Sequence, residues 1–143
     1  MAIYSLSLSG TVGTSAAPSW DAKPAAANTP KVMEYGYMNG AATASVLAIG
    51  RTGNTSTQTG GVLVQAENPG DAAGQTSCAL AWSVAPTQPS QYFRRANLPA
   101  TVGSGIIFTF PRGITLAAGG AGLLQWNVSA SSAVYQTHVV CDE

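Results

Sequence analysis

Apolar and polar residues alternate along most of the chain. Between residues 3 and 9, Tyr4, Leu6 and Leu8 fall on one side and Ile3, Ser5 and Ser7 on the other, the period of a half-buried strand. Similar runs recur at 32–38, 44–50, 61–67, 77–85, 105–110, 122–128 and 133–141. The clearest is 77–85, where Cys78, Leu80, Trp82 and Val84 share one face and Ser77, Ala79, Ala81, Ser83 and Ala85 the other. Turn formers separate the runs: Gly53-Asn54, Asn68-Pro69-Gly70-Asp71, Pro86 to Pro89, Pro111-Arg112-Gly113 and Gly119-Gly120. No window carries an apolar stripe at helical spacing for more than two turns. About seven to nine short strands with turns between them predict an all-β fold. The expected form is an antiparallel two-sheet β-sandwich, jelly-roll-like, in one domain spanning 1–143.

One segment breaks the pattern. Residues 11–31 carry Pro18, Pro24 and Pro30 and show no periodicity, which predicts a long irregular N-terminal loop or arm. Two courses are open to it. It can run as a polyproline-like arm over a neighbouring subunit, or close its own sandwich as a surface loop with Trp20 tucked into the edge of the core.

Charge is scarce. The 143 residues include six Lys/Arg and six Asp/Glu, 8% charged with no net charge, where an average domain carries about 25%. So few cations cannot neutralise a run of phosphates or hold a polybasic membrane patch, so neither nucleic acid nor membrane is expected as a partner. Disorder is excluded by 45% hydrophobic residues. The start, MAIYSLSLSG, has no cationic, apolar leader pattern, and synthesis in a host cytoplasm is expected. A surface poor in Lys and Glu lacks the residues that keep monomers apart, so the chain is expected to work assembled, as a homo-oligomer.

Candidate chemistry is sparse. His138 lies in the alternating run AVYQTHVVC with no G-x-S-x-G elbow in the chain, and reads as a histidine hydrogen-bonded on a strand face. The acids Asp21, Glu34, Glu67, Asp71, Asp142 and Glu143 show no glycosidase-like pairing. Cys78 and Cys141 sit in apolar runs and read as buried thiols, with one disulfide as the alternative. Two Cys and one His at no finger-like spacing predict no metal, and phosphate-loop and dinucleotide signatures are missing, so no cofactor and no catalysis are expected. The strip QYFRRANLP stands apart: Tyr92, Phe93, Arg94 and Arg95 bring together aromatic and guanidinium groups, the types enriched at interfaces. With Trp20 they form the candidate interface. An edge strand blunted by solvated arginines is the plainer reading of the same strip.

The stretch FTFPRGITLAAGGAGLLQWNVSASSAVYQTHVVCDE adds a pattern of its own: an apolar strand, the Pro111 to Gly113 turn, a strand ending in Ala-Gly, a strand with Trp126, then a last alternating strand. Over residues 105–143 it resembles the closing part of small jelly-roll capsid decoration, or cement, proteins of tailed bacteriophages. Tumour-necrosis-factor-type sandwiches share parts of this pattern. The resemblance implies a virion structural protein, often a trimer, that sits on the outer capsid surface and clamps neighbouring major capsid protein subunits. It brings no catalytic motif. A carbohydrate-binding sandwich, with Trp20, Trp82, Trp126 or the tyrosines as stacking platforms, is the second expectation. A small sandwich enzyme relying on His138 is the third.

Overall fold

A computed structural model describes residues 2–12, 17–24, 29–117, 122–129 and 133–143. Its strands are β1 (Ile3–Val12), β2 (Ala17–Pro24), β3 (Lys31–Asn39), β4 (Ser45–Arg51), β5 (Thr57–Gln58), β6 (Val62–Leu63) and β7 (Gln65–Ala66), followed by β8 (Thr76–Ala79), β9 (Trp82–Val84), β10 (Tyr92–Leu98), β11 (Gly105–Thr115), β12 (Leu123–Ser129) and β13 (Ala133–Asp142). No helix occurs among the described residues. A five-stranded sheet has the order β11-β3-β13-β1-β7, a six-stranded sheet β10-β4-β12-β2-β8-β6, and β5 pairs with β9 in a short ribbon. All pairings are antiparallel. The sandwich expected from the alternation is the architecture found.

Apolar side chains of the two sheets meet between them. The six-stranded sheet supplies Trp20, Ala22, Leu47, Ile49 and Leu123, and the five-stranded sheet Tyr35, Tyr37, Tyr135, Val139 and Cys141. Trp20 and Tyr35 meet across the two sheets, 5.2 Å apart at 43°, and Tyr37 stacks on Tyr135 within the five-stranded sheet at 5.4 Å. Such pairs add about 0.5–1.5 kcal/mol beyond the area they bury. Cys78 and Cys141 are both buried free thiols.

The expected N-terminal arm is corrected by β2. Residues 17–24 form a strand between β12 and β8, with Trp20 only 1% exposed, so Trp20 is a core residue and does not belong to a surface contact. The two prolines that disguised the strand sit where a strand tolerates them. Pro18 lies beside a register shift opposite Trp126, and Pro24 is the last residue. Residues 13–16 and 25–28 of the expected arm lie outside the described residues.

Two other expected strands are split. Residues 61–67 pass from one sheet to the other: β6 pairs with β8 in the six-stranded sheet, β7 with β1 in the five-stranded sheet, and buried Val64 lies between them. Residues 77–85 divide into β8, in the large sheet, and β9, in the ribbon. The Pro111-Arg112-Gly113 turn is instead a bulge inside β11, where register is lost between Thr109 and Ile114 and Gly113 takes a positive φ of 65°. The Gly119-Gly120 turn lies outside the described residues.

Residues 52–60 and 80–91, joined by the β5–β9 ribbon, fold over the outer face of the six-stranded sheet. Leu124 pairs with Gly50 and Asp21 on the side away from the core, yet all three are buried. The overlying chain comes so close that a Cβ on Gly50 would stand 2.8 Å from Pro89 Cβ and 2.7 Å from the Gln91 carbonyl oxygen.

Candidate functional site

The expected interface strip forms β10, an edge strand of the six-stranded sheet, paired to β4 with a bulge between Tyr92 and Arg94. Phe93 is 40% exposed, and the Arg51 guanidinium stands over its ring at 5.7 Å. The Arg94 guanidinium lies 5.6 Å from the centre of the Phe110 ring and donates from Nη1 to the Phe93 carbonyl at 2.8 Å. Tyr92 Oη accepts a hydrogen bond from Gln88 Nε2 at 2.7 Å. The aromatic faces thus hold two of the arginines against the surface, each contact contributing about 0.5–1 kcal/mol. Tyr92, Phe93, Arg94 and Arg95 do lie together, whereas Trp20 is inside. Arg51, which the sequence reading passed over, joins the strip because β4 pairs with β10.

The outer face of the five-stranded sheet is built differently. Register aligns Ile107, Gly36, His138 and Ser7 in one row across β11, β3, β13 and β1, and Gly105, Met38, Gln136 and Ser9 in the next. Ile107 is 60% exposed, Met38 49% and Val134 47%. Around them stand Ser5, Ser7, Ser9, Gln136 and Thr109. A shallow depression of about 320 Å³ lies among Ser7, Met38, Ile107, Gln136 and His138. The His138 ring lies flat over Gly36, where a Cβ would collide with it, and its Nε2 is 3.0 Å from Glu34 Oε1. Histidine on a hydrogen-bonded strand face is what the alternation of AVYQTHVVC implies. Ser7 faces His138 in register, but its hydroxyl donates to the Thr137 carbonyl at 3.2 Å, so no nucleophile–base hydrogen bond joins the two.

A third cluster surrounds Asp21, which is fully buried on the outer side of β2. Its carboxyl accepts from Ser56 Oγ at 2.5 Å, Gln58 Nε2 at 2.8 Å and Trp82 Nε1 at 2.9 Å. Lys23 Nζ donates to the Ser56 carbonyl oxygen beside it. All three side-chain donors come from the overlying stretches 52–60 and 80–91, so this closed polar knot fastens the β5–β9 ribbon to the sheet. Trp82 is therefore engaged through its indole nitrogen, while Trp20 and Trp126 are 1% and 7% exposed. Trp20 and Trp126 therefore offer no open ring face for stacking on a sugar, and Trp82 is half-buried.

Among the described residues, no three His, Cys, Asp or Glu side chains come together as a metal site, and no helix is long and apolar enough to cross a membrane. Burial raises the Cys141 thiol to about 12 and the Cys78 thiol well above its ordinary range, which leaves both as poor nucleophiles at neutral pH. Neither a family model nor a curated protein matches the chain.

Proposed function

We propose that this chain is a structural protein of a phage particle that lies on the capsid surface and clamps neighbouring major capsid protein subunits. The observation that carries the reading is the outer face of the five-stranded sheet. Ile107, Met38 and Val134 are exposed there among serines, a threonine and one His–Glu pair, on a pleated surface in which β3 and β13 are paired on both sides and β11 forms the edge. Such a face suits contact with another protein by shape and apolar area, with little charge to desolvate.

The strand order gives further support. Eight strands are seven residues or longer, and consecutive ones alternate between the sheets except at β4 and β10, which pair with each other in the six-stranded sheet. β13 inserts between β1 and β3 in one sheet, and β12 between β2 and β4 in the other. We read this as the doubled Greek-key path of a jelly roll, the fold of many shell-forming proteins. Many modest contacts repeated over a shell would then add by avidity.

The test is co-sedimentation with emptied tailed-phage capsids. Unmodified protein is expected in the pellet, and the double variant Met38→Asp, Ile107→Asp, folded by circular dichroism, in the supernatant. Equal pelleting of the two would remove the sheet face from the contact. Unmodified protein that never pellets, but is retained on a glycan array, would replace the capsid reading with the carbohydrate-binding one.

A further inference from the structure

The charges at the two edges of this neutral chain differ in sign, with Glu34, opposite Thr109 of β11, the exception near the basic edge. β10 and β11 are the edge strands of their sheets and lie on the same side of the sandwich, since Arg94 on β10 covers Phe110 on β11. Four of the six cations gather there: Arg94 and Arg95 on β10, Arg112 in the β11 bulge, and Arg51 beside Phe93. The opposite edges are β7 and β6. Glu67 follows β7 and donates its backbone N–H to the Ile3 carbonyl, Asp71 lies in the next turn, and both Asp71 and Glu143 are close enough to Tyr4 to help raise its phenol pKa. No cation other than Lys23 belongs to β1, β2, β6, β7 or β8, and Lys23 is turned inward to the Ser56 carbonyl.

Each edge also has an apolar centre. Val62 and Leu63, both 43% exposed, form β6 beside the acids, and Phe93, 40% exposed, stands among the arginines. An apolar centre with a charged rim is the anatomy of a protein interface, and here the two rims have opposite sign. With strands about 4.8 Å apart, the edges of the five-stranded sheet are separated by about 20 Å. That is more than twice the Debye length of about 8 Å at physiological salt, so the two rims barely interact within one molecule.

We propose that the β6–β7 edge of one copy docks on the β10–β11 edge of a second copy, pairing Glu67 and Asp71 with Arg94 and Arg95 around Val62, Leu63 and Phe93. The contact is heterologous, so each copy keeps one edge of each sign free for the next. Repetition gives a closed ring if the rotation per contact divides a full turn and an open row if it does not. This inference deepens the proposed function, because it leaves the Ile107–Met38 face free for the shell, but its test contains no shell.

The experiment is sedimentation velocity on three proteins: the unmodified chain, the basic-edge reversal Arg94→Glu, Arg95→Glu, and the acidic-edge reversal Glu67→Arg, Asp71→Arg. The unmodified chain is expected to associate at about 0.02 M salt and to weaken at about 0.5 M, where screening is nearly complete beyond about 4 Å. Each reversal alone is expected to weaken association by more than about tenfold, because like charges then face each other. An equimolar mixture of the two reversals is expected to associate again, each edge meeting its opposite on the other variant. Three outcomes overturn the proposal: an unmodified chain monomeric at every concentration and salt, association that only one reversal affects, or a mixture that stays monomeric while both variants are folded. Failure to pellet with capsids while this association persists would instead reject the shell reading alone.

Discussion

Removing the carboxyl of Asp21 would strand three side-chain donors at once, on Ser56, Gln58 and Trp82, in a place water does not reach. Asp21→Ala is expected to destabilise the fold by about 2–4 kcal/mol, read as a lower urea midpoint, with Asp21→Asn recovering part of the loss. An Asp21→Ala chain that unfolds at the same urea concentration as the parent would show that the knot does not fasten the β5–β9 ribbon. A second expectation concerns alkali. Burial raises Cys78, Cys141, Tyr35 and Tyr135 above their ordinary values, Cys141 to about 12 from 9.0. The unfolded chain releases these protons first, so stability is complete below about pH 9 and falls as pH rises towards 12. Urea melts at pH 8, 9.5 and 11 should show that decline, and it should be shallower in Cys78→Ala, Cys141→Ala; identical slopes would exclude the thiols. At this scale the sequence is poorly legible. Asp21 reads only as one unpaired acid, because its partners lie 35, 37 and 61 residues away and no spacing links them. The buried character of the two thiols was readable, since each stands in an alternating apolar run.

Elements were legible wherever alternation was unbroken, and the ends of β1, β3, β4 and β13 fall within a few residues of the expected runs. Among the strands of seven residues or more, β2 is the one expected as a loop; β10 also lies outside the alternating runs, but an edge strand is one of its two readings. Ser19, Trp20, Asp21 and Ala22 do alternate, but a buried acid opposite the core face and prolines on both sides imitate a loop. The consequence of that correction can be tested. Deleting residues 17–24 removes a strand bonded on both sides, so the truncated chain is expected to be insoluble or unfolded by circular dichroism. A folded, soluble truncation would return this segment to the role of a detachable arm. The runs 61–67 and 77–85 are each two strands instead of one for a different reason. Local alternation cannot say which sheet a strand joins, and 61–67 and 77–85 each keep their alternation while changing partners. Gly50→Val should lift the overlying chain from the sheet, seen as faster amide exchange around Pro89 and a fall in stability of about 1–3 kcal/mol.

Across the whole molecule the chain is held together by pairings between distant parts of the sequence. β13 bonds to β1 over ten residues, from Ile3 opposite Asp142 to Val12 opposite Ala133, and to β3 on its other side. Closing such pairs carries a large loop entropy before any contact compensates it, and all-β domains of this kind fold in about milliseconds to seconds. A chain lacking residues 133–143 is expected not to fold, because β1 and β3 would lose the strand that joins them; cooperative melting of that truncation would contradict it. Sheet faces and edges belong to this scale too. Ile107, Met38 and Val134 come from three strands, and Arg51 meets Phe93 only through β4–β10 pairing, so neither surface could be read from a single stretch of sequence. The β1–β13 ladder ends in a mutual pair: the Ala2 N–H donates to the Glu143 carbonyl and the Glu143 N–H to the Ala2 carbonyl, each at 3.1 Å. Whatever is fused to residue 2 or to residue 143 therefore leaves the sandwich from one corner, beside Glu67 and Asp71. A bulky cargo on either side of that pair would cap the acidic edge and leave the arginine edge open, making the fusion a stopper that accepts no further neighbour on one side. The same corner also makes the two positions easy to join by a few glycines, so the chain could be cut anew at Pro99–Ser104 and keep its ladder intact.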